Sequence, residues 1–163
     1  MAGDKRGPYH VLILCTGNSA RSQMAEALFN TRGRERFRAA SAGSQPAARV
    51  NPYAIRALSE IGLDWSGKTP RGLDAVSRGG WDFVITVCDR AREACPIYPG
   101  TPVVAHWGMP DPAEAEGNDN QKLQVFRDTL LLLARRIDLF LALPIEKLDR
   151  LALEARTRAI GER

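Results

Sequence analysis

Short apolar runs and longer amphipathic stretches take turns along this chain. His10-Val11-Leu12-Ile13-Leu14 is an apolar run of strand length, and a helical pattern begins soon after it at Ser22-Gln23-Met24-Ala25-Glu26-Ala27-Leu28, with Gly33 as its stop. Phe37 to Gly43 reads as a second, short strand. Asn51-Pro52 supplies an N-cap followed by proline at the first helical position, where the missing N–H has no intrahelical partner to lose. Ala54, Ile55, Leu58 and Ile61 fall on one face of that helix and Gly62 closes it. A short helix is expected from Leu73 to Arg78. Trp81 to Val87, rich in β-branched and aromatic residues, is a central-strand candidate, and Thr101 to Trp107 reads as a fourth strand. From Asn118 onward Leu123, Phe126, Leu130, Leu133, Ile137 and Phe140 recur at helical spacing. Pro144 ends or kinks that helix. A last amphipathic helix, Ile145 to about Ile160, places Leu148, Leu151 and Ala155 on one side.

Strands alternating with helices imply parallel β-α-β units: an α/β fold with a four-stranded parallel sheet flanked by helices on both faces. The pattern predicts one domain, with a core over residues 1–143 and residues 144–163 as a C-terminal helical extension of it. Ligands in such sheets bind beyond the C-terminal ends of the strands. Cys15 follows the first strand, Cys88 the third, and Asp111 comes shortly after the fourth, so all three are expected on one edge.

The 163 residues are long enough to bury a proper core, and 44% hydrophobic with 26% charged residues is an ordinary globular composition. The net charge of +4 favours anionic substrates. Nucleic acid is not indicated, because the basic residues are spread along the chain rather than clustered with aromatics. The stretch Met1 to Pro8 is polar and too short for a secretion signal, and no run is long enough to span a membrane, so a cytoplasmic protein is expected. Three cysteines, with no Cys-x2-Cys pair, argue against a secreted disulfide framework, and with two distant histidines (His10 and His106) they give no zinc site. Neither dinucleotide nor Walker-type glycine motifs are present. No metal and no bound cofactor are expected.

The chemistry concentrates at Cys15-Thr16-Gly17-Asn18-Ser19-Ala20-Arg21-Ser22. A short loop between a strand and a helix N-terminus turns several backbone N–H groups toward one spot, which suits a tetrahedral oxyanion. Arg21 adds a planar fork of donors. The same positive field is expected to lower the pKa of Cys15 and make it a thiolate nucleophile. Cys88 and Cys95 form a second feature. If the residues between them were helical, the two would lie ~10 Å apart along the axis, whereas a disulfide needs Cα atoms within roughly 7 Å. Pairing them would require the segment to unwind, which couples oxidation to shape. Asp111, in the rigid Trp107-Gly108-Met109-Pro110-Asp111-Pro112 loop, is a candidate general acid for a departing oxygen. His106 reads as a strand-end packing residue, Arg34, Arg36 and Arg38 as solvated surface, and Trp65, Trp81 and Trp107 as packing.

The run from Cys15 to Glu26 resembles the phosphate loop of low-molecular-weight protein tyrosine phosphatases and of the arsenate reductases that share their fold. Ser41-Ala42-Gly43, Val87-Cys88-Asp89, Cys95-Pro96 and His106-Trp107-Gly108 with Asp111-Pro112 are similar to the thioredoxin-coupled arsenate reductase branch. The resemblance covers about Tyr9 to Leu141. It implies that arsenate binds the N–H groups of residues 16–22 and Arg21, where phosphate or sulfate also fits. Cys15 would attack arsenic while Asp111 protonates the leaving hydroxide. Cys88 would then attack the Cys15 sulfur, releasing arsenite, and Cys95 would resolve the disulfide for an external reductant such as thioredoxin or glutaredoxin with glutathione. It further implies that Ser22 donates a hydrogen bond to the Cys15 thiolate and that Asn18 props the loop. Some family members bind potassium through an Asn, a Glu, a Ser and an acidic residue. Asn18, Glu26 and Ser41 match three of these, but Arg71 stands at the acidic position, so no potassium dependence is expected. Phosphomonoester hydrolysis through a phosphocysteine is the alternative activity, and it would not need the Cys88–Cys95 pair. A non-enzymatic oxyanion or redox sensor is a third reading.

Overall fold

The computed structural model describes residues 7–163; the polar stretch before them lies outside the described residues. The order of elements is β1 (Tyr9–Cys15), α1 (Arg21–Arg32), β2 (Phe37–Gly43), α2 (Pro52–Glu60), β3 (Phe83–Thr86), α3 (Asp89–Glu93), β4 (Val103–His106), α4 (Asp119–Leu141) and α5 (Arg150–Ile160). Single 3-10 turns lie at Leu73–Val76, Pro112–Glu114 and Ile145–Lys147. The four strands form one sheet in the order β2-β1-β3-β4, and every pairing is parallel. The register aligns Cys15 with Gly43, Leu14 with Thr86, and Thr86 with His106, so the strands end at a common C-terminal edge.

β1 reads as continuously apolar because both of its faces are covered. Successive side chains point to opposite sides of a strand. Val11 and Ile13 accordingly join the larger core with Phe29, Phe37, Phe126 and Phe140, whereas Leu12 and Leu14 join a smaller one with Val84, Ala91 and Tyr98. The two covers are unequal. Buried side chains of α1, α2, α4 and α5 all enter the larger core, while the smaller core receives Val76 from a 3-10 turn and Ala91 from the five-residue α3. Phe140, fully buried, sits edge-on or tilted to Phe29, Phe37, Phe83 and Trp107 and joins α4 to the sheet.

The long periodic stretch is α4, whose N-terminus carries a capping box between Asn118 and Gln121. All six of its expected core residues are buried. Asn51 caps α2 by accepting from the Tyr53 N–H at 2.9 Å. Two assigned faces need correction. Ile61 lies after the last turn of α2 and is 50% exposed, and Ala57 takes its place in the core. In the last helix Leu151 and Ala155 face outward, and the buried stripe is Leu153, Thr157 and Ile160. The cause is a break: a 3-10 turn at Ile145–Lys147 and a new N-cap at Asp149 restart the helix and rotate its phase. The pairing of β3 and β4 covers four residues each, shorter than the apolar runs that announce them.

Both sheet edges are covered, which removes templates for unwanted pairing. The Asn30 side chain exchanges two hydrogen bonds with the Ala39 backbone on β2. On β4, Arg150 donates to the Pro102 carbonyl and Arg158 to the Val104 carbonyl, so α5 lies along the outer edge. Among the described residues no helix is long and apolar enough to cross a membrane.

Candidate active site

The loop after β1 is shaped by where its carbonyl groups go. The carbonyls of Thr16, Gly17 and Ser19 accept from the N–H groups of Gln45, Ala47 and Asn51, and that of Asn18 accepts from Gln23 Nε2. In a planar trans peptide the next N–H points the opposite way. The N–H groups of Gly17, Asn18 and Ala20 are therefore directed away from the 45–51 segment, which leaves them free for an anion. Gly43 allows this close docking: a Cβ there would stand 2.2 Å from the Thr16 carbonyl oxygen.

Asn18 is the hub. It is fully buried with φ at 51°, a left-handed conformation that asparagine tolerates better than most residues. Its Nδ2 donates to Ser22 Oγ and Ser41 Oγ, both at 2.8 Å. Its Oδ1 accepts from Gln23 Nε2 at 2.9 Å and from the Arg71 N–H at 2.8 Å. Ser41 Oγ donates to Glu26 Oε1 at 2.8 Å, and Arg71 Nη1 lies 3.6 Å from the same oxygen. Asn18 thus props the loop as expected, and Arg71 brings its cation to the Asn18–Ser41–Glu26 cluster. The expected hydrogen bond from Ser22 to Cys15 is not present among the described residues; Asn18 holds the Ser22 hydroxyl instead.

Arg21 opens α1 and donates through Nη1 to the Met109 carbonyl at 2.9 Å, while its Nη2 lies 3.8 Å from Asp111 Oδ2. Asp111 caps the 3-10 turn that follows by accepting from the Ala113 N–H. The expected acid and the expected arginine are neighbours.

Cys15 is buried, and the Cys88 sulfur reaches it. Cys88 also touches Thr16 Oγ1 at 3.3 Å and, as N-cap of α3, accepts from the Ala91 N–H at 3.4 Å. This contact reverses one expectation. The Cys15 thiol is pushed up, first by its hydrogen bond to Cys88 and then by burial, against the pull of Arg21 and the Thr16 N–H. The Cys88 thiol is lowered to about 5, chiefly because Cys15 donates to it, with Thr16, Ala91 and Arg21 adding to the effect. The two thiols titrate as a pair, and their mutual hydrogen bond moves them in opposite directions. Cys95 stands apart from this pair. It is half-buried in the smaller core, its sulfur bonds the Pro96 carbonyl, and burial raises its pKa.

Three contributors escaped the sequence reading. The Met109 carbonyl that receives Arg21 has no sequence signature. Gln23, which ties Asn18 to the Trp65 indole, is signalled only by its place on the buried face of α1. His106 accepts or donates at Thr86 Oγ1 (2.8 Å) and Asp89 Oδ1 (3.1 Å), joining the ends of β3 and β4 to the first turn of α3. A cleft of about 470 Å³ opens beside these groups, lined by Arg21, Cys88, Arg92, His106 and Met109 among others. No group of three or more His, Cys, Asp or Glu side chains among the described residues is placed to hold a metal ion.

The family model for low molecular weight phosphotyrosine protein phosphatase matches residues 10–152. The chain is 41% identical over 130 residues to an arsenate reductase of Halalkalibacterium halodurans, covering 80% of this chain and 93% of that one. The chain belongs to the low molecular weight phosphotyrosine protein phosphatase family, in its arsenate reductase branch. Solved structures agree with this placement. An arsenate reductase in a phosphate-binding state superposes with a TM-score of 0.65 at 30% identity, covering 82% of this chain and 97% of that one. A thioredoxin-dependent arsenate reductase of Corynebacterium glutamicum does so with a TM-score of 0.58 at 32% identity, covering 81% and 63%.

Proposed function

We propose that the protein reduces arsenate to arsenite by a relay of its three cysteines. The observation that carries this reading is the Cys15–Cys88 contact at the floor of an oxyanion loop. Arsenate binds the loop N–H groups and Arg21. Cys15 passes its proton to Cys88 and becomes the nucleophile. Cys15 attacks arsenic while Asp111 gives a proton to the departing hydroxide, which leaves as water. Cys88 next loses its proton to solvent water, and its thiolate attacks the Cys15 sulfur. The As–S bond breaks with its electron pair retained on arsenic, arsenite leaves, and a Cys15–Cys88 disulfide remains. Cys95 attacks Cys88, releasing Cys15 as thiolate and leaving Cys88–Cys95 oxidised. An external dithiol of the thioredoxin type, in keeping with the dependence of the Corynebacterium relative, returns that pair to thiols.

The test is arsenate turnover with thioredoxin or with glutaredoxin and glutathione, for wild type and each Cys→Ser variant. Loss of turnover in all three variants, with any phosphomonoester hydrolysis surviving in Cys88→Ser and Cys95→Ser, supports the relay. Full turnover in Cys88→Ser would overturn it, and robust phosphomonoester hydrolysis without arsenate turnover would favour the phosphatase activity.

A further inference from the structure

The loop that carries Asp111 is held from behind by residues that the reaction does not use. Arg136, on α4 and only 5% exposed, donates through Nη1 to the Gly108 carbonyl at 3.2 Å. Its Nη2 donates to the main-chain oxygens of Gly161 (3.0 Å) and Arg163 (3.2 Å). The Trp107 indole N–H donates to the Thr157 carbonyl of α5 at 2.9 Å. Gly161 sits so close to the end of β4 that a Cβ on it would lie 2.2 Å from the His106 carbonyl oxygen and 2.8 Å from Trp107 Cδ1. The next carbonyl along the loop, that of Met109, takes the Arg21 guanidinium. Two guanidiniums, one from α4 and one from the catalytic loop, therefore grip consecutive peptide groups of one segment.

Arg136 is also an expensive residue to bury. Its hydrogen bonds run to main-chain oxygens alone, with no Asp or Glu side chain among its hydrogen-bond partners, and desolvation lowers its pKa. An apolar side chain of similar length would fill that space at lower cost. What it would not do is fix the Gly108 peptide. Thr157, Gly161 and Arg163 lie beyond residue 152, where the family match ends.

We infer that Arg136 and the end of α5 are positioning elements of the active site, fixing the 106–109 segment so that Arg21 and Asp111 meet the oxyanion in register. α5 thereby belongs to the catalytic apparatus without touching substrate. The inference rests on the roles proposed for Arg21 and Asp111.

Two full-length variants test it: Gly161→Ala, which forces the end of α5 away from His106, and Arg136→Met, which keeps the volume and removes the donors. The readouts are arsenite release in a single turnover by the fully reduced protein without external reductant, its pH profile, inorganic phosphate affinity, and thermal unfolding. A single-turnover rate lower by roughly tenfold to a hundredfold in both variants, with a shifted alkaline limb, weaker phosphate binding and a folded protein, supports the inference. Wild-type rates, pH profile and phosphate affinity in folded variants overturn it, whatever happens to thermal stability. If the wild type itself releases no arsenite, the relay fails on its own. Phosphate affinity then decides the positioning role: weakened in both variants supports it, unchanged overturns it. Should Gly161→Ala prove unfolded, Arg136→Met decides by the same criteria.

Discussion

Replacing Cys15 with alanine removes the hydrogen bond that contributes most to the lowered pKa of Cys88. The Cys88 thiol is then expected to titrate higher, back toward the ordinary thiol range. Reactivity toward iodoacetamide, followed against pH, shows this directly: wild type keeps a reactive thiolate down to about pH 5, whereas the variant loses it at distinctly higher pH. Asn18 offers a second test. Asn18→Ala deletes four side-chain hydrogen bonds and puts a Cβ-bearing residue without side-chain bonding at φ 51°. The expected loss is about 3–4 kcal/mol in urea unfolding, and Asn18→Gly should recover about 1 kcal/mol of it by relieving the backbone alone. Arg71 bears on ion dependence. Its guanidinium lies against Glu26, beside the Asn18 and Ser41 side chains. Turnover is therefore expected to be equal in potassium and sodium salts, and a clear preference for potassium would show that the arginine does not stand in for a cation.

The restart of the last helix changes what its leucines do. Leu153 is buried and Leu151 is 81% exposed. Leu153→Ala is expected to cost about 2–4 kcal/mol, and Leu151→Ala to stay within about 0.5 kcal/mol, both by denaturant unfolding. Spacing alone put Leu151 on the apolar side with Leu148 and Ala155, because it carried one helical phase through Leu148 and Asp149. α3 is a different kind of element. Five residues long, it is capped by the Cys88 sulfur and contributes Ala91 to the smaller core. Forming a Cys88–Cys95 disulfide removes that cap and brings together ends that a helix holds apart. The oxidised protein is therefore expected to be cut by trypsin at Arg90 and Arg92 faster than the reduced one, and equal cleavage rates would argue that α3 survives oxidation.

Taken as one object, the protein is a parallel sheet with a thick helical cover on one face and a thin, short-helix cover on the other. Local stability follows the number of buried apolar contacts. The thin side carries Cys88, Cys95 and α3, which are the parts that the proposed relay must move. The thick side carries α1, α4 and α5, which hold the oxyanion loop and the acid loop still. Much of this was readable from the chain. Four apolar runs, the Asn51 and Asn118 caps, and the six-residue stripe of α4 are local patterns that depend only on neighbours in sequence. So was the strand–loop–helix junction from Cys15 to Arg21, because an apolar run, small residues and a helical pattern in that order dictate the local geometry by themselves.

The sequence, then, determined the order and type of the elements and the place of the loop between β1 and α1, since these follow from spacing and backbone preference over a few residues. Tertiary structure alone decided the direction in which the Cys15 thiol shifts, since that depends on burial and on a sulfur brought in by the end of a different strand. It also decided the work of residues 144–163: arginines spaced along α5 meet the edge carbonyls of β4, and Gly161 meets the end of that strand, contacts that exist only when distant parts of the chain are brought side by side.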